Sequence, residues 1–150
     1  MAGTPDVNVE YTYWVAPTCP DNTAATSYQT TSLPTLDNVW LWAWNVRIPP
    51  GHAGYTGIAL IDSGLFIIPW SAGGPAWLIG DDDDLTFPYN KQTGATVQLA
   101  YYNTSTDYSH GWQCRFLYTP ISVLVDSGSG SITIDPAAWA AAIEATTGGS

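Results

Sequence analysis

The sharpest chemical suggestion in this chain is a pair of pentapeptides, Leu60-Ile61-Asp62-Ser63-Gly64 and Leu124-Val125-Asp126-Ser127-Gly128. Aspartic proteases hold each of their two carboxylates in such a setting, apolar residues before Asp-Ser-Gly. The two share a proton because like charges close together do not both ionise. Length argues against that chemistry here. Each half of such an enzyme builds a lobe around its aspartate, and only 24 residues follow Asp126. Asp-Ser-Gly is also hairpin chemistry, with Asp bonding its own turn and Gly taking positive φ, and both copies are read as turns.

Four consecutive aspartates, Asp81 to Asp84, supply the hard oxygen ligands that calcium takes. They lack the alternating positions and closing glutamate of an EF-hand. A solvated run that protects a strand edge from pairing is the preferred reading, with calcium left open. His52 and His110 lie in glycine-containing loops with no Gly-x-Ser-x-Gly or His-Glu-x-x-His element beside them, so each is read as a turn histidine bonded to backbone carbonyls. Asn103-Thr104-Ser105 matches a glycosylation acceptor. The start of the chain has no basic segment leading into an apolar one, so no signal peptide is expected and the acceptor carries no weight. Cys19 and Cys114 fit no zinc spacing; Cys114 is read as a core residue, and a disulfide between the two stays open. No catalytic residue, metal site or cofactor is assigned.

The aromatic count is the anomaly: 8 Trp, 9 Tyr and 3 Phe. A core takes Trp112, Phe116 and Tyr101. Trp40, Trp42, Trp44, Trp70, Trp77 and Tyr55 exceed what one core holds, and they are the candidate interface residues. Trp and Tyr dominate binding energy at subunit contacts and also stack on sugars, so a carbohydrate-binding module is the alternative to an assembling subunit.

Charge narrows the partners. With 3 Lys+Arg against 13 Asp+Glu, the formal charge is −10, and three cations cannot neutralise a row of phosphates. Nucleic acid is therefore not expected as a partner. No apolar run approaches the ~20 residues of a membrane span.

The elements that would position these residues are mostly strands. Val7, Val9, Tyr11 and Tyr13 alternate with polar residues. Strands are also expected over 27–31, 39–48, 57–61, 65–70, 76–79, 85–89, 97–101, 112–118, 121–125 and 131–134. Asp62-Ser63-Gly64 makes a hairpin, and a Pro-Gly turn spans 49–54. Over 39–48, Trp40, Trp42, Trp44, Val46 and Ile48 fall on one face and Val39, Leu41 and Ala43 on the other, so a partner should cover one side. Asp135 as N-cap and Pro136 at the first position predict one short helix over 136–147. The whole is one domain over 1–150: an all-β antiparallel β-sandwich, jelly-roll-like, with residues 1–36 an N-terminal strand and extended arm. Trp112, Cys114, Phe116, Val97, Leu99, Tyr101, Val46 and Ile58 should face its core.

Arg47-Ile48-Pro49-Pro50-Gly51-His52-Ala53-Gly54-Tyr55-Thr56-Gly57-Ile58-Ala59-Leu60, then Phe66-Ile67-Ile68-Pro69-Trp70 and Trp112-Gln113-Cys114-Arg115-Phe116, resemble segments of small β-sandwich structural proteins in the virions of actinobacterial tailed phages. The resemblance covers about half the chain, residues 39–117. It implies a non-enzymatic virion component, a capsid decoration or minor tail protein. Such a protein is made in the host cytoplasm and assembles with itself, as a trimer, and with other virion proteins. Contact with host surface glycans is the alternative use of its aromatics.

Overall fold

The computed structural model describes residues 11–121. Eleven strands run through them: β1 (Tyr11–Val15), β2 (Thr18–Cys19), β3 (Gln29–Ser32), β4 (Val39–Ile48), β5 (Thr56–Asp62), β6 (Leu65–Ile68), β7 (Trp70–Ser71), β8 (Asp83–Gln92), β9 (Val97–Asn103), β10 (His110–Gly111) and β11 (Gln113–Pro120). All pairings are antiparallel. One sheet has the order β1-β11-β4-β8, the other β3-β9-β5-β6-β7, and β10-β2 forms a small third. The protein is an all-β antiparallel sandwich. The helix expected over 136–147, the strand at 131–134, residues 122–125 of the strand expected at 121–125 and the second Asp-Ser-Gly lie outside the described residues.

The inner faces meet in one core holding every residue assigned to it from the alternation: Trp112, Cys114, Phe116, Val97, Leu99, Tyr101, Val46 and Ile58. The β5–β6 hairpin closes through Ser63 (φ 50°) and Gly64 (φ 85°), a two-residue loop whose positive φ values match the right-handed twist of the strands. Asp62 bonds Ser63 Oγ as expected of turn chemistry. It also accepts the Gly94 backbone N–H, which ties the hairpin to the β8–β9 connection.

A second aromatic layer covers the outside of the five-stranded sheet. Ala59, Ile61, Phe66 and Ala100 are buried there with Tyr28 and Trp77 packed on them. Residues 76–79 do not form the expected strand. Only Leu78 pairs, exchanging two backbone hydrogen bonds with Ile58. This anchor lays residues 72–80 across the sheet and sets the Trp77 ring edge-on to Tyr28, Phe66 and Tyr102, at centroid separations of 5.2, 5.5 and 4.9 Å.

Candidate association surfaces

The largest departure from the sequence reading lies in β4. The pairings of β4 with both β11 and β8 slip around Trp42, where Ala43 pairs with Leu117 and Pro88, and Leu41 with Tyr118 and Lys91. Such a bulge inserts one extra residue and reverses which parity faces inward. Val39 and Leu41 therefore point into the core before it, and Trp44, Val46 and Ile48 after it. Trp44 stacks flat on Phe116 at 5.9 Å and is fully buried. Trp40 is also buried, its ring 6.2 Å from that of Trp42. Half-buried Trp42 donates its indole N–H to Thr119 Oγ1 at 2.9 Å. The expected shared face of Trp40, Trp42 and Trp44 does not exist, and β4 is an interior strand. Trp44 and Trp40 are thus packed within this chain and do not present an apolar stripe to a partner.

Trp77 is likewise absorbed by its own sheet. Of the six interface candidates, Trp70 (66% exposed) and Tyr55 (53%) stand in solvent. Three aromatics outside those six join them: Tyr108 (71%), Trp14 (65%) on β1, and Tyr11 (44%), also on β1, which the alternation had placed on the apolar face. Trp14 carried a readable signal, since it falls in phase with Asn8, Glu10 and Thr12 rather than with the apolar set. Its ring lies beside the Arg115 guanidinium, 5.6 Å from ring centre to charge.

Trp14 and Trp70 both stand on edge strands. β1, with Trp14, is one edge of the four-stranded sheet; β7, with Trp70, is one edge of the five-stranded sheet. Between β6–β7 and the other edge strand, β8, lies an open cleft of about 390 Å³ lined by Ile67, Trp70, Leu78, Phe87, Tyr89 and Lys91 among others. Its volume falls in the roughly 300–1,000 Å³ range of ligand sites. The Ile68–Pro69 bond at its rim is cis. Burial pushes the Tyr89 phenol up to about 12, helped by the Asp62 carboxylate. Lys91 lies over the Tyr89 ring at 5.5 Å. Strand addition along β8 is obstructed, because Pro88 supplies no N–H and Asp83, Asp84 and Lys91 charge the edge.

The acidic run is a clamp. Asp81 Oδ1 accepts the Gly51 and Ala53 N–H groups at 2.8 and 3.0 Å. The Ala53 hydrogen bond above all holds its carboxyl below the ordinary range. Asp82 pairs with Arg47, Asp83 accepts the Asp81 N–H, and Asp84 accepts from Asn45 Nδ2. Among the described residues no group of three acidic, His or Cys side chains is placed to hold a metal. No helix among them is long and apolar enough to cross a membrane.

The turn that Asp81 clamps carries His52, which is buried. Its Nε2 contacts the Gly111 carbonyl at 2.9 Å and its Nδ1 contacts Thr56 Oγ1 at 2.6 Å. Nε2 must therefore carry the proton while Nδ1 accepts, a structural turn histidine as the sequence suggested. The His110 ring lies tilted against it at 4.6 Å and Trp112 meets it edge-on at 5.1 Å. Burial chiefly lowers the His52 pKa, with His110 adding to that and the Gly111 carbonyl and Asp81 opposing it.

Cys19 and Cys114 are free and buried. Burial raises both thiols, Cys114 to about 12. Asn103 is wholly buried. Its Nδ2 donates to the Cys19 and Tyr108 carbonyls, and its Oδ1 accepts the Ser105 N–H. In the folded chain this side chain is a loop fastener, inaccessible to a glycan-transferring enzyme.

No known protein family and no curated protein matches the chain. Among solved structures, a chain from the disulfide-linked pili of Bacillus endospore appendages is similar over 75% of this chain and 89% of its own length, at 9% identity and a TM-score of 0.41.

Proposed function

We propose that this chain is a non-enzymatic structural subunit of a tailed-phage virion, a head-decoration or minor tail protein that acts by association with copies of itself and with other virion proteins. One observation supports association most directly. After the core and the outer layer have taken up most aromatics, Trp14 and Trp70 remain in solvent on edge strands of the two sheets. Exposed Trp at a strand edge is the residue type that dominates contact energies. The virion setting follows from the resemblance of residues 47–60, 66–70 and 112–116. Particles banded from a lysate and analysed by mass spectrometry should contain the chain at a fixed ratio to the major capsid protein. Particles without it would overturn the virion role.

The exposed Trp70 ring beside a cleft favours one other reading, a carbohydrate-binding module for host surface glycans. Sugar recognition needs several directed polar partners beside a stacking ring. The cleft wall offers few, chiefly Tyr89 and Lys91. Glycan-array binding by a monomer, abolished by Trp70→Ala, would replace the assembly reading.

A further inference from the structure

We infer that the cleft between β8 and the β6–β7 corner is the acceptor site for residues 5–10 of a second copy, so that copies join head to tail. The inference deepens the assembly reading by naming its contact. The acceptor is apolar on most of its wall: Ile67, Trp70, Leu78, Phe87 and Tyr89. It carries one cation, Lys91, which makes no ion pair among the described residues. In a chain of charge −10, a free ammonium at an apolar cleft calls for an extended occupant with apolar side chains and a carboxylate.

The chain itself contains that occupant. Pro5-Asp6-Val7-Asn8-Val9-Glu10 alternates Val with polar residues between two carboxylates, and it leads directly into β1 at Tyr11. Tyr11 pairs with Tyr118, Tyr118 with Leu41, and Leu41 with Lys91. One row across the sheet thus runs from the point where the segment leaves to the cation of the acceptor. Donor and acceptor stand on opposite edges, β1 and β8. Placing two copies side by side in the same orientation brings the donor edge of one to the acceptor edge of the next. Contacts of this heterologous type close into rings, a trimer being the smallest beyond the pair, or extend into filaments. Seating is by side chains, since Pro88 and the charges of β8 oppose backbone pairing there.

The row spans three strand spacings, about 14 Å, and six extended residues reach about 20 Å, so docking within one chain is the competing geometry. Sedimentation of the full-length chain separates the two. Wild type should associate at about 100 µM, as a contact with a micromolar Kd requires. A donor-blocked variant, Val7→Asp/Val9→Asp, and an acceptor-blocked variant, Trp70→Ala/Lys91→Glu, should each be monomeric with unchanged circular dichroism. Their equimolar mixture should give a 1:1 dimer and nothing larger, because one intact donor meets one intact acceptor. Lys91→Glu alone should weaken association at least tenfold. A monomeric wild type, variants that associate as wild type does, or a mixture that stays monomeric would each overturn the inference. In the first case, a change of Trp fluorescence on blocking the donor would assign the cleft to the chain's own segment. The virion role is read separately, from particle composition, so either claim can fail while the other stands.

Discussion

Replacing Gly57 with Ala tests the packing that takes Trp77 out of play as an interface residue. The backbone at Gly57 is one any residue adopts, so the effect is steric alone. A Cβ there would lie 2.2 Å from Tyr102 Cε2, 2.9 Å from its Cζ and 3.0 Å from Trp77 Cβ. Ring atoms at the end of a side chain yield cheaply when they can swing away. Tyr102 cannot, because it is 8% exposed and held edge-on by Trp77 at 4.9 Å. Moving it opens the outer aromatic layer, and overpacking of this kind costs about 1–3 kcal/mol. For a chain of this size, 2 kcal/mol lowers Tm by roughly 4–8 °C. Thermal and urea unfolding should show this loss, and Trp emission should move to the red as Trp77 gains water. In the Gly57→Ala background, Tyr102→Leu should recover part of the loss, giving a favourable coupling energy in the double-mutant cycle. Gly57→Ala within about 0.3 kcal/mol of wild type would show that Trp77 and Tyr102 do not form a packed layer over β5.

Acid should weaken the fold in two steps. The His52 pKa is lowered in the folded chain, so the unfolded chain takes up a proton first as pH falls below the ordinary 6.5, and stability declines from there toward the folded value. The Asp81 pKa is also lowered, so its contribution is intact above 3.8 and is lost as pH falls below that; urea midpoints from pH 8 to pH 3 check both, and His52→Gln should remove the first step. Neither cysteine should react with a maleimide at pH 8 in the native protein, and both should react in denaturant, because the two raised thiols are buried. Asn103→Ala should cost on the order of 1–3 kcal/mol in equilibrium unfolding through the orphaned Cys19 and Tyr108 carbonyls and Ser105 N–H.

The parts of this fold that could be read in advance are those where polar and apolar residues alternate. On β9 and β11, Val97, Leu99, Tyr101, Cys114 and Phe116 alternate with Gln98, Gln113 and Arg115, and their inward face is correct. On β4 the run Val-Trp-Leu-Trp-Ala-Trp has no polar residue to mark a change of phase, so the slip around Trp42 left no trace. Val39 and Leu41 took the core side in place of Trp40 unseen. The outer aromatic layer had one visible sign. All of β5 from Thr56 to Ile61 is buried, and its unbroken Gly-Ile-Ala-Leu-Ile run is that of a strand covered on both faces. What covers it, residues 72–80, has no periodicity to read. The clamp made by Asp81 depends on a contact some 30 residues distant in sequence, which no local pattern encodes.

The two-sided cover over β5 has a kinetic meaning as well. Its hydrogen bonds to β9 run from Thr56–Asn103 to Asp62–Val97, with the main core beneath and the Phe66–Trp77 layer above. Water reaches an amide in that ladder only when one of those layers lifts. β3, by contrast, is a four-residue polar edge whose outward amides face solvent. Amide exchange should therefore grade from minutes at β3 to the slowest rates at Ile58–Ile61, where exchange requires opening of the whole domain. The centre of β5 is the place where the lifetime of the native state is recorded.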